Sequence, residues 1–162
     1  MRILIILLFV SFNSLGQSFS EMIKIKDVNS FKRVVIENNY EIVSAERLSE
    51  WFGEEEADSM YAELDGRIVY EKDNFDHWGT WYDDNHFGFQ FKRKNVFGQV
   101  IEDNPYDKIV ASIKDNCTFY GIQTTKNGND FSTYSCSASL YKGVIGFMIK
   151  DGKGAIITMD KE

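Results

Sequence analysis

Residues 117–159 read CTFYGIQTTKNGNDFSTYSCSASLYKGVIGFMIKDGKGAIITM, and this stretch decides the fold. Asn127-Gly128 separates Cys117–Thr125 from Phe131–Leu140, and Asp151-Gly152 separates Val144–Lys150 from Lys153–Met159. Both dipeptides suit a type I′ turn, which needs positive φ at two central residues; glycine adopts it without a Cβ clash. The stretch therefore reads as a four-strand antiparallel meander. With Asn127-Gly128 as a two-residue loop, Lys126 pairs with Asn129, Phe119 lies opposite Cys136, Cys117 opposite Ala138, and Gly121 opposite Tyr134. Cys117, Phe119, Tyr134, Cys136 and Ala138 then share one face. Tyr120, Ile122, Thr124, Phe131, Thr133 and Ser135 share the other, and a slip of one residue would mix the two. A four-residue loop, Thr125–Gly128, instead pairs Thr124 with Asn129 and sets Cys117 opposite Cys136. That shift of two keeps every side chain on its own face, so the apolar pattern leaves both registers open.

The second hairpin differs. Val144, Ile145, Phe147, Met148 and Ile149, then Ala155, Ile156 and Ile157, are apolar on both faces, the mark of central strands covered above and below. Helices are expected over one face and the N-terminal half over the other; the alternative is an exposed apolar face kept for a partner.

Upstream, Asn104-Pro105 opens a helix over Pro105–Lys114, since proline suits the first helical position. Asn29-Ser30-Phe31-Lys32-Arg33-Val34-Val35 echoes Asn104-Pro105-Tyr106-Asp107-Lys108-Ile109-Val110. Phe31, Val34 and Val35 have i, i+3, i+4 spacing, so a helix over Ser30–Asn38 is predicted, capped by Asp27 or Asn29. Glu21–Lys26 reads as a short edge strand, and Tyr40–Val43 begins another. Ala45, Leu48 and Phe52 have helical spacing with Gly53 as a stop, continued strand being the alternative. Glu54-Glu55-Glu56 with Asp58 reads as a solvated loop. Met60–Leu64 and Arg67–Lys72 flank Asp65-Gly66 as a third hairpin, and Phe75–Phe91 forms a fourth around Tyr82-Asp83-Asp84-Asn85. Phe87, Phe89 and Phe91 alternate with Gly88, Gln90 and Lys92, a half-buried strand.

The fold class is α+β: an antiparallel sheet of about eight strands with two short helices packed on one side. Residues 17–162 form a single domain, or two tandem helix-plus-meander units, 21–95 and 104–162. This tandem helix-and-sheet plan resembles that of secreted inhibitor proteins of the beta-lactamase-inhibitor type, a likeness of architecture that no motif carries.

Met1–Gly16 has the order of a secretory signal peptide: Arg2, the apolar run Ile3–Val10, then Ser14-Leu15-Gly16 with small residues before Gln17. The alternative is a buried N-terminal strand. The apolar run is too short to span a bilayer, and no later segment is long and apolar enough. A secreted or periplasmic protein is expected, with no transmembrane segment in the mature chain. Of 162 residues, 43% are hydrophobic and 15% aromatic, ample for a core. The net charge is −7, and loss of Met1–Gly16 removes one arginine and leaves −8. That balance argues against nucleic acid and anionic membrane surfaces as partners. Two cysteines in an exported chain predict one disulfide, Cys117–Cys136, and of the two registers only the second brings them within bridging reach.

Residues 75–86 hold both histidines, His77 and His86, with Asp76, Asp83 and Asp84, and two of the three tryptophans. Trp78 and Trp81 offer flat indole faces rimmed by Asp76, Asp83 and Asn85, the elements of a carbohydrate or protein contact. Their opposite strand parity sends one of them away from the core. A metal site would need three or four converging ligands, and no HxH or HxxxH spacing occurs; a hairpin tip gathers Asp and Asn for turn geometry alone. GxSxG, HExxH and a phosphate-cradling glycine loop are missing. No cofactor is expected. The reading is an exported non-enzymatic binding or inhibitor-type protein with a protein or carbohydrate partner. The alternatives are a small hydrolase of envelope or extracellular glycan, working through carboxylates near His77 and His86, and a structural envelope module.

Overall fold

The computed structural model describes residues 18–64, 67–74, 76–82 and 86–161. The expected signal peptide, the Asp65-Gly66 turn, and Asp83 and Asn85 lie outside the described residues. In chain order the elements are α1 (Phe19–Met22), α2 (Val28–Glu37), β1 (Glu41–Ile42), α3 (Ala45–Phe52), α4 (Glu54–Glu63), β2 (Ile68–Lys72), β3 (His77–Trp81), β4 (Phe87–Lys92), α5 (Pro105–Asn116), β5 (Thr118–Thr124), β6 (Asp130–Ser135), β7 (Val144–Lys150) and β8 (Lys153–Met159). The strands form one antiparallel sheet in the order β1-β2-β3-β4-β8-β7-β6-β5. Each half of the chain contributes a meander, and the two join edge to edge where β4 pairs with β8.

The N-terminal half therefore extends the sheet sideways instead of covering the second face of β7 and β8, as the sequence had suggested. Both strands are central, but Met148, Ala155, Ile157 and Met159 on that second face are only half buried. Phe31 of α2 sits at the middle of the opposite face. Its ring lies 5.7 Å from those of Trp81 and Phe89, 6.1 Å from Tyr70 and 6.3 Å from Phe87. Such ring pairs add about 0.5–1.5 kcal/mol each beyond the area they bury. Helix α2 starts where Asp27 Oδ1 accepts from Ser30 N at 2.8 Å, and these Ser30 hydrogen bonds hold the Asp27 carboxyl below its usual range. Helix α5 starts where Asn104 Oδ1 accepts from Tyr106 N at 2.9 Å, with Pro105 in its first turn. The Tyr106 ring rests directly on Gly154, where any Cβ would collide with it, and its hydroxyl donates to the Met148 carbonyl at 2.8 Å.

Helices α1, α2 and α5 cover this aromatic face, whereas α3 and α4 lie on the other face, around Val43, Leu48, Ala57 and Val69. The expectation of two helices on one side is corrected on both counts. Met60–Leu64, read as a strand, falls at the end of α4, so no hairpin joins it to β2. The acidic run Glu54-Glu55-Glu56 opens α4 instead of forming a loop, a placement favoured by the positive end of the helix dipole. Glu21–Lys26, read as an edge strand, follows and partly overlaps a single helical turn capped by Ser18 and Glu21. Helix α3 is pinned to β2 by Arg47, whose Nε and Nη2 donate to Glu71 Oε1 at 3.1 and 2.8 Å; Glu71 itself is 1% exposed.

The Asp151-Gly152 turn has φ of 52° and 77°, as a type I′ turn requires, and Lys150 pairs with Lys153. The first hairpin takes neither expected register near its turn. Thr124 pairs with Asp130, Gln123 with Phe131, Ile122 with Ser132 and Gly121 with Thr133. A bulge at Tyr120 then shifts the ladder by one, so Phe119 pairs with Tyr134 and Thr118 with Ser135. The extra residue brings Cys117 beside Cys136, and the two form a disulfide with Cα atoms 4.4 Å apart. Thr125 N donates to the Asn129 carbonyl at 2.9 Å, and Gly128 has φ 72°, so the loop has three residues, not two or four. The face assignment changes with it: Ile122 shares a side with Tyr134, while Gly121 and Gln123 share the other with Thr133 and Phe131.

Candidate functional site

Along β3, residues 76, 78 and 80 point away from the aromatic core, and 77, 79 and 81 point toward it. Trp81 is 7% exposed and stacks on Phe87 at 6.4 Å, with an interplanar angle of 11°. It is a core residue and cannot serve as a contact surface. Trp78 lies on the opposite face, half buried against the cluster beneath α3 and α4. Asp76 shares that face, and both its carboxylate oxygens accept from Lys92 Nζ at 2.9 Å. Of the residues singled out in the sequence, Asp76 and Trp78 lie on one face of β3, Asp76 bound to Lys92 and outside the lining of the cleft beside Trp78, while Trp81 lies in the core; Asp83 and Asn85 fall outside the described residues.

Trp78 lines an open cleft of about 480 Å³ between α4 and the sheet. One wall is Met60 of α4 and Leu64, which caps its C-terminus. The floor is built from Thr80, Gly88, Gln90, Ala155 and Ile157 of β3, β4 and β8, and Arg67 and Tyr82 close one end. Gly88 keeps the floor low: a Cβ there would come within 3.0 Å of Ile157 Cγ2. The Arg67 guanidinium lies over the Tyr82 ring at 5.5 Å, a cation–π contact that holds both side chains in place. Gln90 is the cross-strand partner of Trp78, so an amide sits beside the indole. Among the described residues lining the cleft there is no carboxylate, histidine or thiol. Flat aromatic surface, an amide, a hydroxyl and a guanidinium are the means of stacking and hydrogen bonding.

The histidines do not converge. His77 begins β3 and faces Phe91, while His86 precedes β4 beside Tyr141. Five residues of extended chain, about 16 Å, set them apart along the hairpin. His77 Nε2 is 3.7 Å from Asp73 Oδ2, and burial lowers its pKa from 6.5. His86 Nε2 lies 3.5 Å from Asp160 Oδ1. Among the described residues, no group of three or more His, Cys, Asp and Glu is placed to hold a metal ion, and no helix is long and apolar enough to cross a membrane.

Met60, Leu64, Arg67 and Ile157 escaped the sequence reading. The first two were assigned to a strand, and Ile157 to a strand covered on both faces. Gln90 and Gly88 carried the available signal, as the outward positions between Phe87, Phe89 and Phe91. No protein-family model, curated protein or solved structure matches the chain. The likeness in plan to secreted inhibitor proteins therefore carries no site residue to this chain.

Proposed function

We propose that the protein is an exported, non-enzymatic binding protein that takes a saccharide segment in the Trp78 cleft. The observation that carries this reading is the pairing of the Trp78 indole with the Gln90 amide across one strand pair, on an open floor without a described carboxylate. A sugar ring offers an apolar face for the indole and hydroxyl groups for Gln90, Thr80 and Arg67. Export is supported by the disulfide and by the order of residues in Met1–Gly16.

The test is a heteronuclear NMR titration of the oxidised protein with oligosaccharides of the bacterial envelope. The expected result is saturable shifts at the Trp78 indole N–H and the Gln90 side-chain amide, lost in Trp78→Ala and largely kept in Trp78→Phe. Shifts confined to residues outside the cleft, or none with any saccharide, would refute the proposal. Sugar turnover during the titration would favour the hydrolase alternative.

A further inference from the structure

Arg67 is the one charged residue among the described residues that line the Trp78 cleft. Its backbone N–H donates to the Leu64 carbonyl at 2.9 Å, which ties it to the end of α4 just before β2 begins. Arg47 and Arg93 are ion-paired to Glu71 and Asp107. The Arg67 guanidinium instead lies over the Tyr82 ring at 5.5 Å, and among the described residues its side-chain N–H groups have no hydrogen-bond or ion-pair partner. A cation–π contact engages the face of a guanidinium, whereas the N–H donors lie in its plane, along the edge. The fork that grips a carboxylate through two parallel hydrogen bonds therefore stays open. Tyr82 stands on the same face of the sheet as Trp78, since a Cβ on Gly88, in the cleft floor, would lie 3.5 Å from Tyr82 Cε2. Four steps of extended chain separate Trp78 from Tyr82, about 13 Å, the span of two linked sugar rings.

On the reading that the cleft takes a saccharide, we propose that it selects an acidic one: the sugar next to the ring stacked on Trp78 carries a carboxylate, and Arg67 binds it with a two-pronged hydrogen bond. Charge decides the class of ligand. The described lining sets one cation against no carboxylate, in a chain of net charge −7. An acidic sugar meets no like charge there among the described residues, whereas an amino sugar sets a second cation beside Arg67. A neutral sugar offers the fork only hydroxyl groups, and a charge-assisted hydrogen bond is roughly twice as strong as a neutral one. A single carboxylate bound at close range also differs from a membrane or a nucleic acid, whose many charges the acidic chain repels as a whole.

Heteronuclear NMR titration of the oxidised protein with matched ligands tests the selection. The probes are the disaccharide of N-acetylglucosamine and N-acetylmuramic acid, and tetragalacturonate, each against its own methyl ester. In whichever pair shifts the Trp78 indole N–H, the acid should bind about tenfold more tightly than the ester, and the acid alone should move the Arg67 Nε–H signal. Arg67→Met should bring acid and ester to equal affinity, so the ratio is read and not either affinity alone. Arg67→Lys keeps the charge without the fork and should retain only part of the preference. Equal affinity for acid and ester in the unmutated protein, with Trp78 shifted by both, overturns the proposal and leaves the saccharide reading standing. A preference that survives Arg67→Met overturns it as well. No Trp78 shift with any of the four ligands removes the saccharide itself, and the proposal with it.

Discussion

Replacing both Cys117 and Cys136 by serine tests how the bulged hairpin is held. The bond closes a loop with a sequence separation of 19. Cross-linking removes loop-closure entropy from the unfolded chain with a logarithmic dependence on length, which for a loop of this size gives about 3 kcal/mol at 25 °C. Cys136 is 8% exposed, so serine also places a hydroxyl where a sulfur packed, adding to the loss. The double variant avoids leaving an unpaired thiol. Equilibrium unfolding in guanidinium chloride, followed by tryptophan fluorescence, should show a lower midpoint at nearly unchanged amplitude, and the melting temperature should fall by roughly 10 °C. Reducing the unmutated protein should reproduce most of the shift. A loss below about 1 kcal/mol would mean that the bulge and the packed rings of Phe119, Tyr134 and Phe147 hold the strand without the bond, and would refute the reasoning.

Other expectations follow from the same geometry. Trp81→Ala should cost about 3–5 kcal/mol because its ring is enclosed by Phe31 and Phe87, whereas Trp78→Ala should cost no more than about 2 kcal/mol; chemical denaturation of both variants compares them. Arg47→Ala removes the guanidinium hydrogen-bonded to the buried Glu71 carboxylate and should lower the stability, while Arg47→Met with Glu71→Leu should recover most of the loss. His77 has a folded pKa lowered by burial, so the unfolded chain takes up its proton first. Stability due to this group is therefore complete above pH 6.5 and declines as the pH falls below it. His77→Phe should flatten that part of the stability–pH curve, measured by thermal melting at constant ionic strength.

Local chemistry made much of the chain legible. Asp27 or Asn29 announced the start of α2, because a side-chain oxygen must satisfy the free N–H groups of a helix start, and Asp27 does so; Pro105 announced α5, whose cap, Asn104, the structure supplied. Phe87, Phe89 and Phe91 announced a strand with one core face, and Asp151-Gly152 a turn of defined type, because two-residue periodicity and positive φ are properties of a few neighbouring residues. The parity of Trp78 and Trp81 placed them on opposite faces, but parity does not say which face is the core; the arrival of Phe31 across the sheet decided that for Trp81. Helix α4 was illegible because its amphipathic signal is weak and, among its described side chains, only Ala57 is fully buried, so the wall that turns an outward strand face into a cleft could not be foreseen. The bulge at Tyr120 is the clearest case. Apolar pattern repeats every two residues and cannot choose between registers two apart, nor signal a single added residue. The Cys117–Cys136 bond and the pairing of β6 with β7 settle it, because only contacts between distant segments fix the sum of two sequence positions.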